Sequence, residues 1–502
     1  MASDVRRYRF GPLERRGIVG GLRTGQTAVV SVSLVAVVVL LQLSTSPAVV
    51  FAGLLLAAGA AAVAFYPLYG RTPEEWAPVV WAWGSRRLRG RTRYRSAAPT
   101  AGANGDPLGR GQVELSVSLP PEVGALDLLS APLRGEPVGV IKDRKANTYT
   151  AVLAVRVRSF GLLDRAEQER RLAGWGAVLA GLARENSPVR RLQWVERTVP
   201  SDGDEVARYL QEERDTTVPL ASSSVASYIE LVEAAGAVTQ DHELFVALQL
   251  DARRAWRQVK RLGKGDQGAA ALLLRELETL AERLVAADVH VLGALRPRML
   301  ARAIRDAYDP YGRTNRTRLA AVDPDRAGVD PAHAWPLAAE ASWGTYRTDS
   351  ALHATYWVAG WPRIDVGATF LAPLLMQTNV LRSLAVAMQP VAPSVAMRKV
   401  EAARTTDIAD EQTRQRQGFV TTARKRLQQE STARREQELA DGHAEFRFAG
   451  YVTVSAPDED ALERACAEVE HAAQQARLEL QRLYGEQESA FTFTLPLGRG
   501  LR

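Results

Sequence analysis

Two uncharged apolar runs near the N-terminus constrain this 502-residue chain more than any other feature. The first runs from Thr27 to Leu43 and the second from Ala48 to Tyr66, with only Ser44-Thr45-Ser46-Pro47 between them. A helix needs roughly 20 mostly apolar residues to cross a bilayer, with about 17 as the lower limit. Both runs reach that length. The hydrocarbon core holds no water to satisfy an irregular polar segment, so this short connector turns the second helix straight back. The reading is a transmembrane helical hairpin with both outer ends on one side. A cleaved secretory signal shares the basic start and the apolar run, but tandem runs with basic flanks at both outer ends fit a hairpin better. A buried helical pair in a soluble domain would be striped, whereas these runs are apolar all round.

Arginine assigns the side. Arg6, Arg7, Arg9, Arg15, Arg16 and Arg23 precede the hairpin, Arg71, Arg86, Arg87, Arg89, Arg91, Arg93 and Arg95 follow it, and the connector carries no charge. Positive loops mark the cytoplasmic side, which predicts a multi-pass protein of the cytoplasmic (inner) membrane with both termini in the cytoplasm. Tyr66, Tyr69, Trp76, Trp81 and Trp83 crowd the exit as an aromatic belt would. The net charge of +7 is concentrated in these arginine groups, and the remainder is nearly balanced. Anionic lipid headgroups are therefore the expected partner, and nucleic acid is not expected to be bound directly. Cys466 is the only cysteine, so no internal disulfide forms, and its helical setting reads as a small buried hydrophobe.

Residues 1–96 form the membrane segment. Its first part is too glycine-rich for a firm helix and is expected along the interface. Thr72-Pro73-Glu74-Glu75 reads as a capped helix start, and Trp76, Val80 and Trp83 share a face suited to the headgroup layer, although Pro78 should shorten or kink the helix. Residues 97–112, rich in Gly, Pro and Ala, read as a linker.

A first α+β unit spans residues 113–307. Tyr149 to Val157 alternates as a strand. A helix capped by Asp164 and Glu167 follows, striped by Leu172, Trp175, Leu179 and Leu182, and Val189 to Val199 returns as a strand. Polar helices around Asp204–Glu213 and Val225–Ala237 lead to a strand at Leu244–Leu250, a helix at Ala269–Ala286 and a partner strand at Val289–Leu292. Residues 308–336 are a loop-rich connection. A second α+β unit spans residues 337–502, with strands at His353–Val358 and Val380–Met388. Ser394 to Leu439 is a long charged stretch with a sparse apolar stripe, read as one long or two stacked exposed helices. Phe446, Phe448, Val452 and Val454 alternate on a strand; Ser455, Pro457 and Asp458 start a helix running to Leu483; Phe491, Phe493 and Leu495 read as the closing strand. The fold class is thus α+β: a transmembrane hairpin followed by two ferredoxin-like, split β-α-β units with long exposed helices.

Signatures of chemistry fail on inspection. There is no phosphate-binding G-x-x-x-x-G-K-[ST] loop, no G-x-S-x-G elbow and no H-E-x-x-H pair. Gly263 to Gly268 (GKGDQG) matches G-x-G-x-x-G, but a dinucleotide site needs a preceding strand, and the residues before it look helical. His242, His290, His333, His353, His443 and His471 are scattered. Catalytic, cofactor-binding and metal-binding residues are accordingly none, no cofactor is expected, and the protein reads as non-enzymatic.

The segment FGPLERRGIVGGLRTGQ, with the hairpin and the Trp-rich basic exit, resembles the PrgI-like family of two-helix membrane subunits of type IV secretion and conjugation systems. The stretches Val138–Leu182 and Gly450–Gly498 resemble the N-terminal, non-motor region of the VirB-type conjugation ATPases. In that family the closing strand and its Leu-Pro lead into the motor domain. Here Leu495-Pro496 lies a few residues before Arg502, so the resemblance implies no motor, no ATP hydrolysis, and a separate ATPase docking on this protein among other secretion-system subunits. The expected docking surface is Ser394–Leu439, through Phe419 and Leu427. The chain also resembles the EccE component of type VII secretion systems, which has a membrane hairpin before a soluble domain. A membrane-anchored enzyme and a DNA-binding tether are the readings from other classes.

Overall fold

A computed structural model describes residues 24–44, 46–66, 68, 70–96, 119–157, 160–200, 218–219, 222–236, 240–313, 316–317, 328–377, 380–416 and 423–501. The segment before residue 24, the linker and the region of the Asp204–Glu213 helix lie outside the described residues.

Helix α1 (Thr24–Leu43) and helix α2 (Pro47–Phe65) match the two apolar runs to within a few residues. Pro47 opens α2, where its missing N–H costs nothing. Gln26 Nε2 donates to the Ala64 carbonyl at 2.8 Å, so the start of α1 lies beside the end of α2 and the pair is antiparallel. Leu34, Val35, Phe51 and Leu54 point outward. Both helices are long and apolar enough to cross a membrane. Helix α3 (Pro73–Leu88) starts at the expected capping box, Thr72 with Glu75, and runs through Pro78 without ending. Strand β1 (Arg93–Arg95) follows.

A hairpin of β2 (Leu126–Leu133) and β3 (Glu136–Asp143) turns at Arg134 and Gly135, both with positive φ, the backbone that a tight two-residue turn demands. Next come β4 (Thr148–Arg156), α4 (Arg165–Leu182), β5 (Val189–Pro200), α5 (Ser223–Gly236) and β6 (Gln240–Asp251). Then follow α6 (Trp256–Leu262), α7 (Gly265–Ala286), β7 (His290–Ala294) and α8 (Pro297–Tyr308). These strands pair in the order β7-β4-β6-β5, all antiparallel.

Strands β8 (Ala338–Ala341) and β9 (Tyr346–Arg347) lead into β10 (Leu352–Gly360), α9 (Ala372–Leu375) and β11 (Leu381–Pro390). Two long helices, α10 (Pro393–Arg416) and α11 (Ala423–Ala440), precede β12 (Phe446–Ala456), α12 (Glu459–Gln475), β13 (Glu479–Arg482) and α13 (Gln487–Phe491). The order here is β13-β10-β12-β11, again antiparallel. Strands β5 and β11 pair from Ser383↔Arg197 to Met388↔Leu192, which merges both quartets into one sheet of 13 strands. In each quartet the outer edge of the first strand is shared by two strands: β3 and β7 on β4, β9 and β13 on β10.

Alternation along the strands decides which layer each residue joins. On one face Leu153, Leu192 and Leu248 pack under α4 and α7, while Val358, Leu384 and Val454 pack under α12. On the other face Val152, Val195, Phe245 and Ala385 lie under α8 and the C-terminal segment through Phe491, Leu495 and Leu497. The second core spans both halves.

Three expectations need correction. The last helix stops at Gln475, where Arg477 takes a positive φ and Leu478 N–H reaches back to the Ala473 carbonyl. The closing strand is therefore β13, and Phe491–Leu495 is a short helix and 3-10 turn whose apolar side chains face down onto the sheet. The run at Val289–Leu292 becomes β7 and pairs with β4, not with the Leu244–Leu250 strand. The face of α3 bearing Trp76 and Trp83 packs on protein rather than lying open to headgroups. In each case the periodicity reports an apolar face correctly, and the long-range contact chooses its cover.

Candidate functional site

The junction between hairpin and sheet is the first candidate. Trp76 and Trp83 of α3 flank Trp343, in the turn between β8 and β9, at ring separations of 5.8 and 5.1 Å. The Arg71 guanidinium lies 5.3 Å from the Trp76 ring and pairs with Glu486 at 3.2 Å. Arg86 pairs with Glu488 and donates to the Gly485 carbonyl at 2.6 Å. Gly485 has a φ of +73°, and a Cβ there would come within 2.6 Å of Trp343, so the contact demands glycine. Strand β1 then pairs with β8 through Arg93↔Glu340 to Arg95↔Ala338, stitching the exit of the hairpin into the sheet. Val80 and Trp81 stay exposed on the outer side of α3.

The seam between the quartets holds a buried charge cluster. Arg382 on β11 is fully buried and donates to the Leu374 carbonyl at 2.6 Å, to Thr198 and to the Leu375 carbonyl. Its guanidinium lies 3.8 Å from Glu196 on β5, which His242 Nδ1 approaches at 2.6 Å. Burial lowers the Arg382 pKa, against the opposing pull of Glu196. Further out, Arg197 bonds Glu243 at 2.5 Å, and Arg316 bridges Asp306 and Asp309 at 2.8 and 2.6 Å. Arg313, 3.2 Å from Glu243, links this outer group on β5 and β6 to the end of α8.

His353 is fully buried, with Nε2 2.8 Å from Thr348 Oγ1 and Nδ1 2.8 Å from Ser455 Oγ. Burial pushes its pKa down to about 3, so the ring stays neutral and ties β9, β10 and β12 together. The Phe491 ring lies 4.5 Å from it, tilted by 45°. Nearby, Tyr346 donates to Glu122 at 2.5 Å, and desolvation raises the Glu122 pKa.

Among the described residues no group of three or more His, Cys, Asp and Glu is placed to hold a metal. His242, His290, His333, His443 and His471 are spread over the surface, and Cys466 is a free, buried thiol whose pKa burial raises. The GKGDQG motif joins two helices. Gly263 caps α6, Gly265 takes a positive φ, and a Cβ on Gly268 would lie 2.5 Å from the carbonyls of Val259 and Gly263. Close approach of the two helices accounts for Gly263 and Gly268, and the left-handed backbone accounts for Gly265. The stretch Ser394–Leu439 forms α10 and α11, joined by Arg404–Glu436 at 2.7 Å. Ala396 and Val400 bury the root of α10. Phe419 and the Leu427 side chain lie outside the described residues.

The junction and the seam carry no reading from sequence alone, because Trp343, Gly485 and Arg382 acquire meaning only through partners hundreds of residues away. No protein-family model matches the chain, and no curated protein matches its sequence.

Proposed function

We propose that this protein is a non-catalytic adaptor of the cytoplasmic membrane, a subunit of a conjugation-like secretion machine that holds its sheet at the membrane and docks a separate ATPase. In this reading both termini face the cytoplasm and each strand quartet is a ferredoxin-like, split β-α-β unit, a view supported by the orders β7-β4-β6-β5 and β13-β10-β12-β11. The observation that carries it is the clamped junction: three tryptophans, two Arg–Glu pairs and the β1–β8 pairing fasten the segment that leaves the hairpin, α3 and β1, to the sheet. Such a clamp suits a subunit that fixes a platform relative to the bilayer. The α10–α11 arm is the docking element in this reading, since it adds nothing to the sheet it leaves.

The arm can be shortened without touching its buried root. Arg404 and Glu436 meet across the two helices at 2.7 Å, so residues 405–435 can be replaced by a short glycine-rich loop that leaves Ala396 and Val400 in place. Full-length protein purified from its native host should bring down an ATPase, and the shortened variant should lose it while keeping its unfolding midpoint. Retention of the ATPase by the shortened protein would remove this part of the arm from the interface. Recovery of no ATPase with the intact protein would overturn the adaptor reading.

A further inference from the structure

Between Ala252 and Gly265 the chain reads ARRAWRQVKRLGKG, six cations with no acid. On the page of the sequence this is a short basic stretch in a nearly balanced domain. The fold gives it a different weight, because the acids that flank it are committed elsewhere. Asp251 pairs with Arg190 at 3.3 Å and accepts from the backbone N–H groups of Arg253 and Arg254. Asp266 takes Lys142 at 2.7 Å and the Tyr149 hydroxyl at 2.8 Å. Asp143 faces Arg499 at 3.5 Å. Arg253, Arg254, Arg257, Lys260, Arg261 and Lys264 all remain exposed, and among the described residues none of them has a carboxylate partner. The β3–β4 turn adds Lys145, drawn close by the bond from Arg253 to its carbonyl, while Arg144 beside it pairs with Asp127 at 3.5 Å.

At the centre stands Trp256, 53% exposed at the start of α6, with Arg257 and Lys260 5.4 and 5.8 Å from its ring centroid. A large aromatic held open among cations is the pairing that binds single-stranded nucleic acid, where bases stack and phosphates meet charge. The bilayer is the competing polyanion, and position argues against it. Helix α6 lies on the α4–α7 face at the end of β6, whereas the anchor docks at the β8–β9 turn and α13, on the opposite face beyond β10. Strands β5, β11 and β12 intervene, roughly 20 Å of sheet at the usual strand spacing. The anchor and this surface therefore lie on opposite faces of the sheet, separated by three strands.

We propose that α6 and the β3–β4 turn form a binding surface for single-stranded nucleic acid, with Trp256 as the stacking platform and the surrounding arginines and lysines on phosphates. This inference stands apart from the adaptor reading and does not depend on it. It reverses the expectation, drawn from overall charge, that nucleic acid is not bound.

The test uses the full chain in nanodiscs of zwitterionic lipid and a fluorescein-labelled oligothymidylate of about 20 nucleotides, longer than one expected site. Anisotropy titrations at rising salt should give a log–log slope of about −3 to −4, equivalent to a loss of roughly 60- to 250-fold between about 50 and 200 mM salt. Reversing Arg254, Arg257 and Lys260 to Glu should flatten the slope by about 2 and remove most of the affinity. Trp256→Ala should weaken binding about tenfold with the slope unchanged. Circular dichroism and Tm verify folding, and the same three positions changed to Gln serve if the Glu triple variant is destabilised. Oligonucleotide binding untouched by these changes would overturn the site, as would no binding at low salt. Tighter, patch-dependent binding of phosphatidylglycerol vesicles or polyglutamate than of the oligonucleotide would also overturn it, assigning the surface to a membrane or an acidic protein.

Discussion

The two strand quartets share an order and differ in what they carry. In the first, the crossover from β4 to β5 contains α4, 18 residues long and capped by Asp164, and it packs with α7 over a leucine-rich core. In the second, the crossover from β10 to β11 contains only the four-residue α9, so α12 covers that face with little help. Each quartet also accepts helical material between its second and third strands: α5 in the first, the α10–α11 arm in the second. Because β5 and β11 are antiparallel neighbours, these two insertions leave the sheet at opposite ends. The difference teaches that the strand order tolerates loss of one helix where the neighbouring quartet completes the sheet. Trp194, from β5 of the first quartet, packs into the core of the second.

If that mutual support holds, the seam is where the comparison breaks most easily. Arg382→Met leaves the buried Glu196 carboxylate without its guanidinium, a change worth about 3 to 5 kcal/mol. In urea, wild type should unfold in one transition, and the variant should separate into two as the quartets lose each other. Adding Glu196→Gln should recover much of the loss. Two transitions already in wild type would mean that the quartets are independent.

A smaller and pH-dependent effect distinguishes the second quartet. His353 titrates near 6.5 when unfolded and near 3 when folded, so below pH about 6.5 the unfolded chain takes a proton that the native state refuses. Native stability from this residue is complete above that pH and falls by about 1.4 kcal/mol per unit as pH drops toward 3. Glu122 opposes it: its raised pKa costs stability as pH climbs above its unfolded value of 4.5. The measurement is thus a difference, urea midpoints of wild type against His353→Asn between about pH 4 and 7, with the gap narrowing toward acid. A constant gap would show that the folded ring takes up its proton at the same pH as the unfolded one.

The smallest effect compares the two caps. Asp164 accepts from the Glu167 N–H at 2.9 Å and Asp458 from the Ala461 N–H at 2.8 Å. Each change to Ala should cost about 1 kcal/mol. Equal shifts of a single midpoint would confirm shared unfolding, and a shift from only one cap would locate the weaker quartet.

The chain determines by itself whatever depends on neighbours a few residues apart. The uncharged runs of α1 and α2, the capping box at Thr72 and Glu75, the caps Asp164 and Asp458, and the alternation of β4, β6, β11 and β12 are all legible, because helix and strand periods are written locally. The same locality explains the errors. Phe491, Phe493 and Leu495 alternate because a segment crossing a sheet must turn apolar side chains toward it, whatever its own backbone does. Trp76 and Trp83 mark an apolar face, and only Trp343 decides that protein rather than lipid covers it. The union of two quartets at Ser383↔Arg197, the burial of Arg382, and the commitment of Asp251 and Asp266 that leaves α6 unneutralised were decided in three dimensions. Strand pairing and charge compensation join residues far apart in the chain, and a local pattern carries no record of which distant partner will arrive.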